Sequence, residues 1–538
     1  MDLATWPGHR RGGCRLAGGA ISRVNLGRSR SATLVRSRTD RGLPLGGGHR
    51  CSRTREPTAR HASSIRRPLA HVCRESHRAG ERRIDARRRG SCAKLKTESA
   101  SVDHSYVNNW LRRAVLGSFL GIAVVVFAAG PTWSEASAGT FGPPTTFYVA
   151  VNGSDTNPGT VGAPWRTLQR AVIASPSGSR VEVGPGTYAP FVVSRPNITI
   201  AAATQGTVTV LGTRAVRDVI LIKANTVTLL GLTIAGCVPN SAPIGGFEAG
   251  GSSGVRVDDN VRGVLLDSLT IRDSHGTNAD GLPFGCYGVM IHNASMVTVV
   301  NSNIYHNGYG VFIEGGGGGI SIANNVIHDN DVMVRNTSHV ANDDFGGVGI
   351  GFNDSSGSSA TGNSLYNNFA TSHDWGTDGG GIEIYGASNT TIAGNSLSNN
   401  DDVLETGAGK GARCANNEFI DNSVVGRTAK SPLQNSSGMI LRCATSMLIS
   451  GNSFTDLDWW TFWIYEPSGV ANAVSDLSIT GNTIRQSYDQ IYSLTSPLAS
   501  TALHIGDNKY TYKGSLGTNW LHQRMTALAW NGIGLGTN

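Results

Sequence analysis

The chain has 538 residues and a net charge of +8, yet only 16% of its residues are charged. The excess is local: residues 1–100 hold 24 basic and 7 acidic side chains, whereas the other 438 hold 22 basic and 31 acidic, which excludes a long-range electrostatic case for nucleic-acid binding there. Seventy glycines argue against a helical bundle, while 39% hydrophobic residues can still line a long core.

Residues 1–106 are Arg-rich and show no apolar periodicity, so they are expected to be a disordered leader or over-called upstream sequence. Residues 107–138 read as a secretory signal peptide: Leu-Arg-Arg precedes the apolar run Ala114–Ala129, Gly130-Pro131 breaks it, and Ala136-Ser137-Ala138 supplies the cleavage site. The run is shorter than the roughly 20 residues of a spanning helix, so no stable membrane span is expected after cleavage. The mature protein is expected to be secreted. Export permits disulfides among Cys237, Cys286, Cys414 and Cys443; three pairings are possible, and no close C-x-x-C spacing points to zinc.

Residues 139–180 are expected to form an N-terminal strand and a capping helix that begins at Pro164, in PWRTLQRAVIA. From 181 to 515 the chain repeats itself. Asn-x-apolar turns, with Ser302 in place of Asn in the first copy, recur with Ile304, Ile327, Leu365, Leu397, Phe419, Phe454 and Ile484 as the apolar residues, spaced by 22 to 38 positions. A unit of about 22 residues cannot bury a face alone, so the copies must stack as parallel coils about 4.8 Å apart. Asn325, Asn363, Asn395, Asn417, Asn452 and Asn482 would then form an internal ladder. Residues 516–538 would close the end of the stack.

A second element, Gly-apolar-x-apolar, starts at Gly288, Gly310, Gly347, Gly381 and Gly438, with TFWIY from Thr461 in the same place. Its period-two alternation is that of a half-buried strand. The pattern resembles the right-handed parallel β-helix proteins of the pectate-lyase-like superfamily, and the opening FYVAVNGSDTNPGTVGAPWRTLQRAV is similar to secreted bacterial members such as family 9 polysaccharide lyase-like proteins. The resemblance implies an all-β solenoid over about residues 146–515. It also implies an extracellular polysaccharide as partner, and for lyases a carboxylate-held Ca²⁺ with a Lys or Arg base.

Stacking turns alternation into columns. One outward column is expected to read Met290, Phe312, Gly349, Glu383, Ile440 and Trp463, and the next His292, Glu314, Gly351, Tyr385, Arg442 and Tyr465. Gly349 and Gly351 would open a floor beside Phe312, Tyr385, Trp463 and Tyr465, on which sugar rings could stack unless loops cover them. Between Glu383 and Ile440 lies DDVLETG, in which either Leu404 or Glu405 faces out. Asp343/Asp344, Asp374/Asp378 and Asp401/Asp402 occupy equivalent corners, where like charges need a cation such as Ca²⁺ or else serve as turn caps.

Two reactions suit these residues, and a non-enzymatic carbohydrate-binding β-helix is the third reading. In Ca²⁺-assisted β-elimination on a uronate polymer, Lys410, Arg442 or His373 would be the base. In retaining glycoside hydrolysis, Glu383 and Glu405 would flank the scissile bond on adjacent coils. The mature protein is expected to be a monomer.

Overall fold

The computed structural model describes residues 144–239, 251–277, 283–337, 344–409, 414–426, 437–458, 460–467, 473–487, 490–495, 498 and 502–513. The leader, the signal peptide and the C-terminal cap expected at 516–538 lie outside these residues. Among them no helix is long and apolar enough to cross a membrane.

Short parallel strands build three long sheets. The first runs from Thr146–Val149 to Leu503–Gly506 in thirteen strands, the second from Phe191–Val193 to Gln490–Leu494 in eleven, and the third from Gly186–Tyr188 to Lys509–Tyr512 in twelve. The chain visits the first, third and second sheets in turn and then begins the next coil. Inward residues form continuous columns; in the second sheet Val255, Val289, Val311, Ile350, Ile382, Leu404, Met439 and Phe462 lie one above another, all buried.

Helix α1 (Leu168–Ala174) packs at the front of the stack, with Leu168, Ala171 and Val172 buried. Its N-cap is Thr167, whose hydroxyl accepts from the Arg170 N–H, so Pro164 lies ahead of the helix and not in its first turn. Disulfides join Cys237 to Cys286 and Cys414 to Cys443.

The asparagine ladder is present, with one correction. Each side-chain amide donates to the next residue's Oδ1 through Asn325, Asn363, Asn395, Asn422, Asn452, Asn482 and Asn508, at 2.9–3.0 Å. Asn422 replaces Asn417, which sits at the corner leading into the first sheet, where its Oδ1 accepts from the Thr390 N–H. Phe419 accordingly packs in the first sheet beside Ile392, and Val424 takes its place in the third. The residue before each rung adopts the left-handed conformation, as in Asn324, Gly362, Gly394 and Asp421, which is why Asn, Asp and Gly fill that position. A second ladder, Asn307, Asn330, Asn368 and Asn400, lines the corner that feeds the second sheet.

At that corner a Cβ on Gly288, Gly310 or Gly349 would meet the carbonyl oxygen of the next coil at 2.6 Å, which requires glycine. This fixes a register that the sequence reads differently. Gly349, not Gly347, is the corner glycine of its coil. Val348 therefore faces outward, Ile350 and Phe352 point inward, and Gly351 and Asn353 face out.

Candidate active site

The register of the second sheet places Met290, Phe312, Gly351, Glu383, Glu405, Ile440 and Trp463 in one outward column. Glu405 thus faces out, directly beside Glu383 on the neighbouring strand, while Leu404 packs inside. Gly351, not Gly349, is the residue before Glu383 in the column.

The two glutamates meet different surroundings. Glu383 is 8% exposed, and its Oε2 accepts the Tyr309 hydroxyl at 2.7 Å. Burial, and then the charge of Glu405, push its pKa from 4.5 up to about 8, against the opposing pull of the Tyr309 hydrogen bond and of Arg442. It therefore holds its proton at neutral pH. Glu405 instead forms an ion pair, with its Oε1 2.5 Å from an Arg442 terminal nitrogen. That guanidinium also donates to the Tyr385 hydroxyl at 2.5 Å and to the Thr406 carbonyl at 3.2 Å, and lies 5.5 Å from the Tyr385 ring centroid. Burial works against the charge on Arg442, but Glu405 and then Tyr385 and Tyr465 hold its pKa well above the ordinary value.

Asp378 joins this group. Burial, followed by the proximity of Glu405, Glu383 and Asp401, drives its carboxyl well above the carboxylate range. More negative charge is gathered here than one guanidinium offsets, so protons must be shared or held.

Asp401 stays beside Asp378, whereas Asp344 and Asp374 are taken up in a turn. Asp343 and Lys410 lie outside the described residues. Asp344 caps a turn: its carboxylate accepts from the backbone N–H groups of Thr337, His373 and Asp374 and from the Ser372 hydroxyl, at 2.7–3.1 Å. Asp374 returns the contact by accepting from the Asp344 N–H at 3.3 Å, and His373 is exposed on the same turn. Asp402 shares an outward row with Gly380 and Ser437. Among the described residues only Asp258, Asp259 and His292 bring three possible ligand atoms within 4.8 Å of one another. There Arg256 and Lys223 already pair with Asp258, at 3.3 and 3.7 Å. Among the described residues the corner aspartates do not fit a calcium centre, and no step is derived through one.

The expected sugar-stacking wall also divides. Phe312 is buried, stacked on Tyr287 at 5.0 Å in an outer apolar cluster with Met290, Tyr309, Val334, Phe345 and Val348. Glu314 is buried, and His292 pairs with Asp259 at 2.5 Å. Tyr385, on the strand of Glu383, and Trp463 and Tyr465, two coils beyond Glu405, stay partly exposed, and Trp460 extends the group at 4.9 Å from Trp463. Tyr309 and Trp460 are additions to the expected site. Their signal was present but local, an aromatic residue just ahead of the corner position (Gly310, Thr461).

Residues 253–429 match the family described as right handed beta helix region. The described residues fold as a right-handed parallel β-helix. The β-helix matches no curated relative. Among solved structures it is similar to the GH136 lacto-N-biosidase from Eubacterium ramulus, at 13% identity over 70% of this chain and 68% of that one, with a TM-score of 0.40. It is also similar to DFA-IIIase from Arthrobacter chlorophenolicus A6 in complex with DFA-III, at 11% identity over 73% and 89% of the two chains, with a TM-score of 0.39.

Proposed function

We propose that this β-helix is a secreted carbohydrate-active enzyme that hydrolyses glycosidic bonds with retention of configuration. The observation that carries the reading is the paired register of Glu383 and Glu405, one carboxyl buried and hydrogen-bonded to the Tyr309 hydroxyl and the other ion-paired with Arg442. Strands about 4.8 Å apart suit the roughly 5–5.5 Å carboxyl separation of retaining enzymes. Glu383 donates its proton to the glycosidic oxygen while Glu405 attacks the anomeric carbon, giving a glycosyl-enzyme ester and a free alcohol. Water, deprotonated by Glu383, then attacks the same carbon and releases Glu405. Arg442 stabilises the Glu405 carboxylate as leaving group, and Trp463 and Tyr465 offer faces for neighbouring sugar rings.

Hydrolysis is favoured over β-elimination on a uronate polymer because Arg442, the described base candidate nearest the acids, is held protonated by Glu405. The test is a screen of nitrophenyl glycosides and extracellular oligo- and polysaccharides. Reducing sugar whose first-formed anomer keeps the substrate configuration by NMR is the expected result. An unsaturated product absorbing near 235 nm would replace this reading with the lyase, and binding without turnover would replace it with a carbohydrate-binding module.

A further inference from the structure

We propose that Tyr309 is a positioning residue for Glu383, and that Gly351 exists as the gap across which its ring reaches. The inference rests on the hydrolytic reading for its catalytic meaning but not for its geometry. Tyr309 stands two coils upstream of Glu383, separated by the strand Val348–Asn353, yet its hydroxyl lies 2.7 Å from Oε2. The outward residue of the intervening strand beside Glu383 is Gly351. A Cβ there would come 2.7 Å from Cδ2 of Phe312 and 3.0 Å from Cε1 of Tyr309, so any larger side chain would displace the two rings.

The outer apolar cluster explains why the hydroxyl stays in place. Tyr309 is fully buried, edge-on to Phe312 at 5.0 Å and tilted against Tyr287 and Phe345 at 5.7 and 6.5 Å. A hydroxyl donating to Oε2 leaves Oε1 to carry the carboxyl proton, so the contact selects which oxygen acts as acid. It also favours the ionised form of Glu383, opposing the burial that disfavours it. The other titratable or charged groups that face Glu383 are Glu405, Arg442, Asp378 and Tyr385. The cluster is thus part of the proton-handling apparatus as well as packing.

The experiment titrates Glu383 directly through its side-chain ¹³C carboxyl signal in glutamate-labelled full chain, assigned by its loss in Glu383→Gln. Tyr309→Phe keeps the ring and removes only the hydroxyl, and Gly351→Ala leaves every charged group in place. Both are expected to move the Glu383 titration upward, by about one pH unit for Tyr309→Phe. An unmoved titration in folded Tyr309→Phe overturns the assignment. If Tyr309→Phe does not fold, Gly351→Ala decides by the same criterion. The basic limb of the pH profile for nitrophenyl-glycoside hydrolysis should shift with the titration. A titration that moves while the basic limb stays put upholds the Tyr309 assignment and removes Glu383 as the acid.

Discussion

The two boundaries of the second sheet treat buried polarity in opposite ways. At its entry corner Asn307, Asn330, Asn368 and Asn400 pass hydrogen bonds from coil to coil, and the matching ladder at the neighbouring corner does the same from Asn325 to Asn508. On its outer face Glu383 and Glu405 share one guanidinium while Asp378, from a neighbouring two-stranded ribbon, adds a third acid, and two of the three carboxyls are pushed out of their normal range. A buried polar group with its partners supplied steadies the scaffold. A group whose charge is left incompletely offset stores a proton or a reactive carboxylate, and that is the signature of chemistry.

The largest effect that would sharpen this contrast is Glu405→Gln. It should lower turnover about 10³-fold or more while leaving the fold intact, because it removes the nucleophile of the proposed reaction. Steady-state kinetics beside circular dichroism would check this, and full activity would transfer the chemistry elsewhere.

Next comes the pH dependence of stability. Glu383 keeps a proton in the native state up to about pH 8, whereas the unfolded chain releases it above about 4.5. The native state therefore binds more protons across that window, and stability falls as pH rises, by on the order of a few kcal/mol. Asp378 contributes with the same sign. Urea midpoints from pH 5 to 8 should decline in the wild type and decline less in Glu383→Gln; equal slopes would mean that the carboxyl is not held protonated.

The smallest effect concerns the satisfied boundary. The Asn395 amide donates to the Ala360 carbonyl and to Asn422 Oδ1, and its oxygen accepts from the Asn363 backbone and side chain. Asn395→Ala should cost about 2–3 kcal/mol of stability with turnover unchanged below the new melting point. A loss of activity without a loss of stability would erase the distinction between the two boundaries.

Much of the architecture was legible because stacking imposes period-two strands and an Asn-rich turn on every coil. Legibility failed where two frames were locally equivalent. Gly347-Val-Gly-Ile and Gly349-Ile-Gly-Phe both fit the strand pattern, and only the approach of the Gly381 carbonyl to Gly349 selects the second. Asn417-x-Phe and Asn422-x-Val both fit the turn; with Asn422 in the ladder, the intervals on either side become 27 and 30 residues. For the site, Glu383 and Glu405 were within reach of sequence reasoning once coils were assumed to stack. Tyr309 offered only its place ahead of the corner as a signal, and nothing in that place tells that its hydroxyl acts across an intervening strand on a residue 74 positions away. The corner aspartates looked alike in sequence, and only the donors around Asp344 separate a turn cap from the Asp378 cluster.

The adjacency of Glu383 and Glu405 gives the scaffold a quantised ruler. Their spacing is dictated by backbone pairing between neighbouring strands, so loops can lengthen or shorten between them without altering it. Moving one acid by a single coil would instead roughly double the gap to about 9.6 Å, near the upper end of the range associated with inverting enzymes. In such a framework, stereochemical outcome becomes a discrete choice of rung.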